Sequence, residues 1–169
     1  MEKAHGGAPA RSRILYTLLW CFVAMLVSGA LAILTGRPFL FPSLGPSAIM
    51  LFGNPLEAAS SPRNVLVGHF IGAGSGYAGL AATGLLGVPF TATMDGHRVL
   101  AAAIALALTA ALTIATRSEH PPAGATTLIV SLGILPWLVD YLVIMFAVAA
   151  LTLLALIVNR LRGVNYPIW

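Results

Sequence analysis

Four apolar blocks, each close to twenty residues long and almost free of charge, constrain this chain more than any other feature. They occupy residues 14–35, 65–90, 99–116 and 138–159. A helix of about twenty residues crosses a hydrocarbon layer of roughly 30 Å. Because 59% of the residues are hydrophobic and only 8% are charged, we expect an all-α polytopic membrane protein. Residues 1–169 are predicted to form one domain, since the polar stretch 1–13 is too short to bury a core of its own.

Basic residues flank the first and last blocks. Lys3, Arg11 and Arg13 precede the first block, and Arg160 and Arg162 follow the last. Positive charge accumulates on the cytoplasmic side of membrane proteins, so both termini are predicted to be cytoplasmic, with 1–13 as a cytoplasmic segment. The first block is too long for a cleaved signal peptide, and a retained helix in the cell inner (plasma) membrane is expected.

Two shorter apolar segments, rich in proline and glycine, lie between the long blocks. They are FPSLGPSAIMLFG at 41–53 and EHPPAGATTLIVSLG at 119–133. Helices of about 11 to 13 residues reach only ~16 to 20 Å, which is too short to cross a bilayer alone. The sequence therefore predicts two half-helices in addition to four long transmembrane helices.

The two short segments align with each other without a gap. At an offset of 79 residues, PSLGPSAI from residue 42 lies over PPAGATTL from residue 121, so that proline, glycine and a hydroxyl recur in phase. Long blocks flank both, which predicts an internal repeat with halves at about 14–90 and 99–160. If the short segments cross with their flanking chain, there are six crossings in an inverted 3+3 arrangement; if they are re-entrant, there are four. The distribution of basic residues favours the inverted arrangement.

A broken helix within a membrane has a chemical consequence. Its first turn leaves backbone N–H groups free and presents the positive end of the helix dipole, and both attract anions. The residues predicted to form such a site are hydroxyls that add donors and glycines that let a ligand approach the backbone: Ser43, Gly45, Ser47, Gly124, Thr126 and Thr127. The alternative is that the breaks only suit helix packing, with the hydroxyls bonded to carbonyls of their own helices.

Three blocks of this sequence resemble the HPP family of small integral membrane proteins. They are FPSLGPSA, SPRNVLVGH and EHPPAGATTL, within residues 39–132. The resemblance implies four membrane-spanning helices and, since members have been linked to nitrite transport, a small inorganic monoanion such as nitrite or nitrate as substrate. Two positions depart from the family pattern: Ser61 stands where Gln is more frequent, and Pro46 where a small residue is common.

Polar residues near the short segments extend the predicted site. Arg63, beside Asn64, can offer paired N–H donors to a planar oxyanion, although an interfacial arginine also snorkels towards lipid headgroups. His69 is expected about one turn inside the second long helix, where an imidazole is costly unless it faces a cavity or a partner. It can bond substrate, carry a proton or serve a structural role. His120 directly precedes the second half-helix and is predicted at the mouth of the site.

Small residues predict close helix contacts. Gly68, Gly72 and Gly76 recur every four residues and share one helix face, which we expect to pack at backbone distance. Such faces, together with the small size of the bundle, predict a homo-oligomer assembled through them. Asp140 is expected to complement the N-terminal dipole of the last helix. The central connection, with Asp95, His97 and Arg98, is interpreted as a solvated linker.

Other functions remain open at this stage. A haem carrier would use His69 and His120 as axial ligands, an intramembrane enzyme would pair Ser43 or Ser47 with a histidine, and a structural or accessory membrane subunit needs no site. No nucleotide-binding loop, metal-ligand cluster or cofactor motif is recognised, so we expect no catalytic residues, no metal, no cofactor and no nucleic-acid partner. The predicted partners are a small inorganic anion, the lipid bilayer and further copies of the chain.

Overall fold

The computed structural model describes residues 10–91 and 93–167. Lys3, which contributed to the predicted orientation, lies outside them. Within the described residues the chain forms six α-helices, a 3-10 turn at Ala58–Ser60 and no strand. The helices are α1 (Ala10–Thr35), α2 (Leu44–Gly53), α3 (Pro62–Ala82), α4 (Gly96–Ala115), α5 (Pro122–Ser131) and α6 (Leu138–Leu161). The four long helices are apolar and long enough to cross a membrane, which confirms the all-α membrane class.

The second long helix ends earlier than its apolar sequence predicts. Residues 65–90 were expected to be one span, but α3 ends at Ala82. Gly84 and Gly87 follow with φ angles of 71° and 74°, a left-handed conformation that glycine adopts at little cost. The chain stays apolar beyond Ala82, so composition alone does not show where the helix ends. The turn that follows the helix depends on the two glycines.

One end of the bundle, which we call the terminal face, collects both described ends of the chain. Arg13 in α1 donates to Gly53 O and Asn54 Oδ1 at the end of α2. Asn159 near the end of α6 bonds the Tyr16 hydroxyl at 2.8 Å and donates to Leu51 O at 3.0 Å. The start of α1 and the ends of α2 and α6 therefore lie together.

The start of α3 lies at the same face. Tyr166, beyond α6, donates its hydroxyl to Ser60 O, two residues before α3 begins. Burial, and to a lesser extent neighbouring Tyr16, raises the pKa of Tyr166, so its hydroxyl keeps the proton that this bond needs.

The opposite end, the distal face, collects the remaining connections. The Tyr77 hydroxyl, late in α3, donates to Trp137 O at 2.6 Å, just before α6, and also lies 3.1 Å from Leu135 O. Phe90 N donates to Gly133 O, just after α5, at 2.7 Å. Each short segment therefore connects the two faces, as a few residues of irregular chain followed by a half-helix of about 15 Å. This path favours six passes of alternating direction over the re-entrant alternative.

The glycine face of α3 packs against α5 within the same chain. A Cβ added at Gly72 would lie 2.6 Å from Ala123 O, and one at Gly76 would lie 2.6 Å from Val130 Cβ. Only helices without side chains at these positions approach so closely. The prediction of a close packing face is confirmed. The expectation that this face assembles copies of the chain is wrong, because α5 already covers it; the homo-oligomer itself stays a prediction.

The main contacts between α-helices have an internal correspondence. α1 packs on α2 as α4 packs on α5, and α6 packs on α2 as α3 packs on α5. If α1 is paired with α4, α2 with α5 and α3 with α6, the contact of α1 with α6 is the counterpart of the contact of α4 with α3. The two remaining contacts, α2 with α5 and α3 with α6, join paired helices, so each is its own counterpart. The predicted repeat and its inversion are compatible with this pattern and stay predictions.

Adding one methyl group to the glycine face should distinguish tight from loose positions. We expect Gly72→Ala and Gly76→Ala each to lower stability by about 1–3 kcal/mol, since backbone and a β-branched side chain must move. Thermal unfolding in detergent is the measurement. Gly74→Ala is the matched control, because its nearest atom is the Tyr141 hydroxyl oxygen at 3.8 Å. Equal losses in all three variants would contradict the packing described.

Candidate functional site

Both short helices begin without a side-chain cap, whereas α3 and α4 each have one. Ser61 caps α3, Asp95 caps α4, and the Asp140 carboxylate accepts from Trp137 N at the start of α6. That last contact confirms the predicted N-terminal role of Asp140. At α2 and α5 the residues in the cap position, Ser43 and Pro121, make no such bond. The N-termini of α2 and α5 thus lack the side-chain acceptor that α3 and α4 have, and in α5 the amides of Ala123 and Gly124 bond His120 O and Pro121 O instead.

Five of the predicted site residues meet in one buried cluster, which we call the hydroxyl–imidazole cluster. It consists of Ser43, Ser47, His69, His120 and Thr126. The Ser43 and Thr126 hydroxyls lie 2.6 Å apart, and Ser47 Oγ lies 2.9 Å from His69 Nε2 and 3.0 Å from His120 Nε2. None of the five is more than 3% exposed. The N-terminal ends of α2 and α5 therefore meet inside the protein, as the repeat predicted.

His69 occupies the centre of this cluster. It is the eighth residue of α3, about 10 Å along the helix axis from Pro62. Its Nδ1 bonds Thr126 Oγ1 at 2.7 Å and its Nε2 bonds Ser47 Oγ. Ser47 and Thr126 are the two hydroxyls that the 79-residue alignment places in the same position. One imidazole thus joins corresponding residues of the two half-helices.

His120 reaches the cluster from the irregular chain before α5. Its Nδ1 lies 2.7 Å from Ala59 O, in the 3-10 turn, and its ring centroid lies 5.0 Å from that of His69. Gly68 makes room for this residue, because a Cβ there would lie 3.0 Å from His120 Cβ. The 3-10 turn, α2, α3 and the α5 segment thus each contribute one wall.

Thr127 lies beside the cluster and has a different partner. Its hydroxyl donates to Ala123 O and bonds Thr109 Oγ1 of α4 at 2.8 Å. Sequence reasoning missed Thr109, although threonines at 109, 113 and 116 follow one side of α4. The Thr127 hydroxyl therefore bonds a carbonyl of its own helix, which is the alternative to an anion-binding role that the sequence left open. Ser47 Oγ also lies 3.0 Å from a carbonyl oxygen four residues earlier, that of Ser43.

The two predicted site glycines lie away from the cluster. A Cβ added at Gly45 would meet open space, and one at Gly124 would meet only Leu106 of α4, at 3.6 Å. In this conformation neither glycine provides the close approach to the cluster for which it was chosen.

Arg63 and Asn64 lie at the terminal face, in the first turn of α3. Arg63 donates to Thr116 O and Arg117 O, each at 2.7 Å, and to Asn64 Oδ1 at 3.0 Å. The two carbonyls belong to the end of α4, where the helix dipole favours a cation. The guanidinium therefore joins the start of α3 to the end of α4.

Arg98 corrects the interpretation of the central connection. It was expected in a solvated linker, but it lies in the first turn of α4 and is 5% exposed. Its Nη2 donates to Val88 O and Pro89 O, and it packs against Gly133. Among the described residues its Nη1 has no hydrogen-bond partner, and the same holds for the buried hydroxyls of Ser75 and Ser131. Asp95 and His97 are exposed, as predicted.

The cluster is poorly suited to metal or haem. Within residues 10–91 and 93–167 no group of three or more His, Cys, Asp or Glu side chains could hold a metal ion. The two imidazoles bond the same Ser47 oxygen, which occupies the space that a porphyrin between them would need. The geometry suits hydrogen bonding and proton transfer instead.

The family assignment follows from the matched residues. A profile described as HPP, transmembrane region, matches residues 7–167. The chain belongs to the HPP transmembrane family. This confirms the resemblance noted for residues 39–132 and extends it over nearly the whole chain.

Two relatives of this HPP chain, both from Dictyostelium discoideum, are named as transmembrane proteins. One is 31% identical over 170 residues, covering 95% of this chain and 57% of the relative. The other is 33% identical over 136 residues, covering 78% of this chain and 41% of the relative. The chain thus spans roughly half the length of these relatives. No solved structure matches it.

The carbonyl contacts of Arg63 lead to a stability prediction. Arg63→Gln should lower the free energy of unfolding by about 1–2 kcal/mol, because a partly buried charged donor to two helix-end carbonyls is lost. Thermal unfolding in detergent measures the loss. Arg37→Gln, at an exposed position, is the control and should stay within about 0.5 kcal/mol of the native protein. Equal stability of the two variants would contradict a stabilising role for the hydrogen bonds of Arg63 to the end of α4.

Proposed function

We propose that this HPP-family protein transports a small inorganic monoanion across the membrane, with nitrite as the leading candidate and nitrate as the second. The observation that carries the proposal is the meeting of two uncapped half-helix N-termini at the buried hydroxyl–imidazole cluster. Helix N-termini attract negative charge through their dipoles, and in this conformation the first amides of α5 bond carbonyls of the preceding chain. The three hydroxyls and two imidazoles supply neutral donors that suit a small oxyanion.

The internal correspondence of helix contacts supports a transporter over a static pore. An inverted repeat has two conformations of similar energy, each opening the shared site to one side. An arginine early in α1 and one early in α4 have similar contacts, although they are not at the 79-residue offset: Arg13 bonds the end of α2 at the terminal face, and Arg98 packs against Gly133 beyond α5 at the distal face. An exchange between the two halves would alternate access to the cluster.

The conformation described is closed around the cluster. Its polar atoms bond one another, and all five residues are buried. An anion enters only when the Ser43–Thr126 and Ser47–imidazole bonds open and their donors turn to the ligand. Arg63 and Asn64, at the terminal face, are proposed to receive the anion on that side.

The proposal also includes the orientation of the protein in the membrane and its homo-oligomeric state. Arg13, Arg160 and Arg162 lie at the start of α1 and the end of α6, so the terminal face is proposed to be cytoplasmic in the inner (plasma) membrane. A homo-oligomer would bury part of α1, whose side chains are mostly exposed in the single chain.

An intramembrane enzyme is the second candidate, because Ser47 Oγ lies 3.0 Å from an imidazole whose other nitrogen is held by a carbonyl. That is the order of contacts in a serine nucleophile with an oriented base. Labelling of Ser47 by a fluorophosphonate, with no anion flux, would favour this candidate.

Anion uptake into vesicles tests the transport proposal. Purified protein in lipid vesicles should take up nitrite faster than protein-free vesicles. Thr126→Val should slow uptake about tenfold or more, because a buried donor worth about 1–3 kcal/mol is lost from the site.

The control for Thr126→Val is a second buried threonine. Thr152 in α6 is 4% exposed, and its hydroxyl donates to Val148 O in its own helix. Thr152→Val should therefore keep native uptake. Equal uptake by the two variants would remove Thr126 from the site, and no uptake of nitrite or nitrate by the native protein would overturn the function.

A further inference from the structure

The hydrogen bonds of the cluster form one continuous chain. In order, its members are Ser43, Thr126, His69, Ser47, His120 and the carbonyl of Ala59. The successive distances are 2.6, 2.7, 2.9, 3.0 and 2.7 Å, each within hydrogen-bond range. The two ends differ in kind, because Ser43 has a hydroxyl and Ala59 offers only an acceptor.

The carbonyl of Ala59 sets the tautomer of His120. A carbonyl oxygen only accepts, so His120 Nδ1 must carry a hydrogen. In the neutral ring Nε2 is then an acceptor, and its partner is Ser47 Oγ. The Ser47 hydroxyl has one hydrogen and also lies 3.0 Å from Ser43 O; we assign the hydrogen to His120 because the described residues offer Nε2 no other donor.

The same reasoning continues through His69 to Ser43. Because the Ser47 hydrogen is already donated to His120, His69 Nε2 must be the donor to Ser47 Oγ. His69 Nδ1 is then an acceptor and takes the hydrogen of Thr126, and Thr126 accepts from Ser43. All hydrogens point from Ser43 towards Ala59, and both imidazoles are neutral.

The chain can accept one further proton without breaking. A proton added to His120 Nε2 makes a new N–H bond and an imidazolium that donates to Ser47 Oγ. The Ser47 hydrogen then turns to Ser43 O, which lies 3.0 Å away. A proton added at His69 Nδ1 would require Thr126 to accept there and donate to Ser43, and the described residues show no acceptor for the Ser43 hydrogen that this displaces, so His120 is the site for the proton.

The elements around the cluster offer no fixed charge to balance such a proton. α2 and α5 contain no Asp, Glu, Lys, Arg or His. On α3 the only other such group is Arg63, at the terminal face, where Arg117 also lies; α4 has His97 and Arg98 at the distal face. On α6, Asp140 and Arg160 lie at opposite ends, and Glu57 and Glu119 in the connections are exposed.

Neither an anion nor an imidazolium is therefore stable alone in this cluster. A buried charge without a partner costs several kcal/mol or more, whereas a buried pair of opposite charges compensates part of that cost. The first ion to enter creates the site for the second. This mutual requirement is a coupling free energy between the proton and the anion.

We propose that the hydroxyl–imidazole chain binds one proton together with each anion, so that the protein is an electroneutral proton–anion symporter. This inference rests on the proposed transport function and adds its second substrate. The proton comes from water on the side to which the site is open, is carried on His120, and is released to water on the other side with the anion.

A flux experiment in lipid vesicles tests the proton–anion symport separately from anion transport itself. Vesicles containing the purified protein and an internal pH dye receive an inward gradient of nitrite or nitrate, with the membrane potential set by potassium and valinomycin. Protein-free vesicles measure the leak of undissociated nitrous acid. We expect internal acidification to accompany each anion taken up, at a rate that does not depend on the imposed potential.

Two results would each contradict the symport. In the first, an inside-positive potential accelerates anion uptake and the vesicle interior does not acidify. This result would contradict the proton symport and leave the proposed anion transport intact. Absence of any anion uptake would instead overturn the function itself.

A variant and a spectroscopic measurement give independent readouts. His120→Asn keeps an amide N–H where Nδ1 bonds Ala59 O but removes the nitrogen that takes the proton. Acidification per anion should fall to the protein-free background, while the exposed control His97→Asn keeps the native ratio. Native coupling in His120→Asn would overturn the role of His120.

The tautomers are checked in the native protein, so the test does not depend on folding of a variant. ¹⁵N NMR of the histidines in detergent at neutral pH should find hydrogen on Nδ1 of His120 and on Nε2 of His69. Hydrogen on Nε2 of neutral His120 would refute the chain as described.

Discussion

The close contact between the glycine face of α3 and the half-helix α5 is the interaction on which the rest of this structure depends. A helix of ten residues has too few internal hydrogen bonds and too little surface to hold its own position in a bilayer. Gly72 and Gly76 let its backbone lie directly against α3. The N-terminal end of α5 is thereby held inside the bundle, where His120 and Thr126 reach His69 of α3.

The polar cluster follows from this arrangement because broken backbone in a membrane must be surrounded by protein. Extended chain with proline has N–H and C=O groups that lipid cannot satisfy. At the breaks themselves, Leu44 N bonds Phe41 O and Ala123 N bonds His120 O. The hydroxyls and imidazoles beside the two breaks bond one another, as Ser43 bonds Thr126, and so form a line of exchangeable hydrogens.

Sequence reasoning recovered the elements with a periodic or compositional signal and missed those that depend on tertiary contact. The four long helices, the two short helices and the meeting of Ser43, Ser47, His69, His120 and Thr126 followed from apolar length, proline breaks and the repeat. The end of α3 at Ala82 did not, since the chain stays apolar beyond it. The burial of Arg98 and the bond from Thr109 to Thr127 also did not, because each depends on a partner distant in the chain.

α1 has less extensive contacts with neighbouring helices than its counterpart α4. α4 packs on both α3 and α5, whereas α1 packs chiefly on α2 and touches α6 only lightly. At 26 residues α1 is also the longest helix, about 39 Å, and exceeds a hydrocarbon layer of roughly 30 Å. Such a mismatch is relieved by tilting, within the limits that the contacts of α1 with α2 and α6 set. Because α1 lies against α2, which contributes Ser47 to the cluster, a change in bilayer thickness that tilts α1 would act on the helix nearest to that side of the cluster.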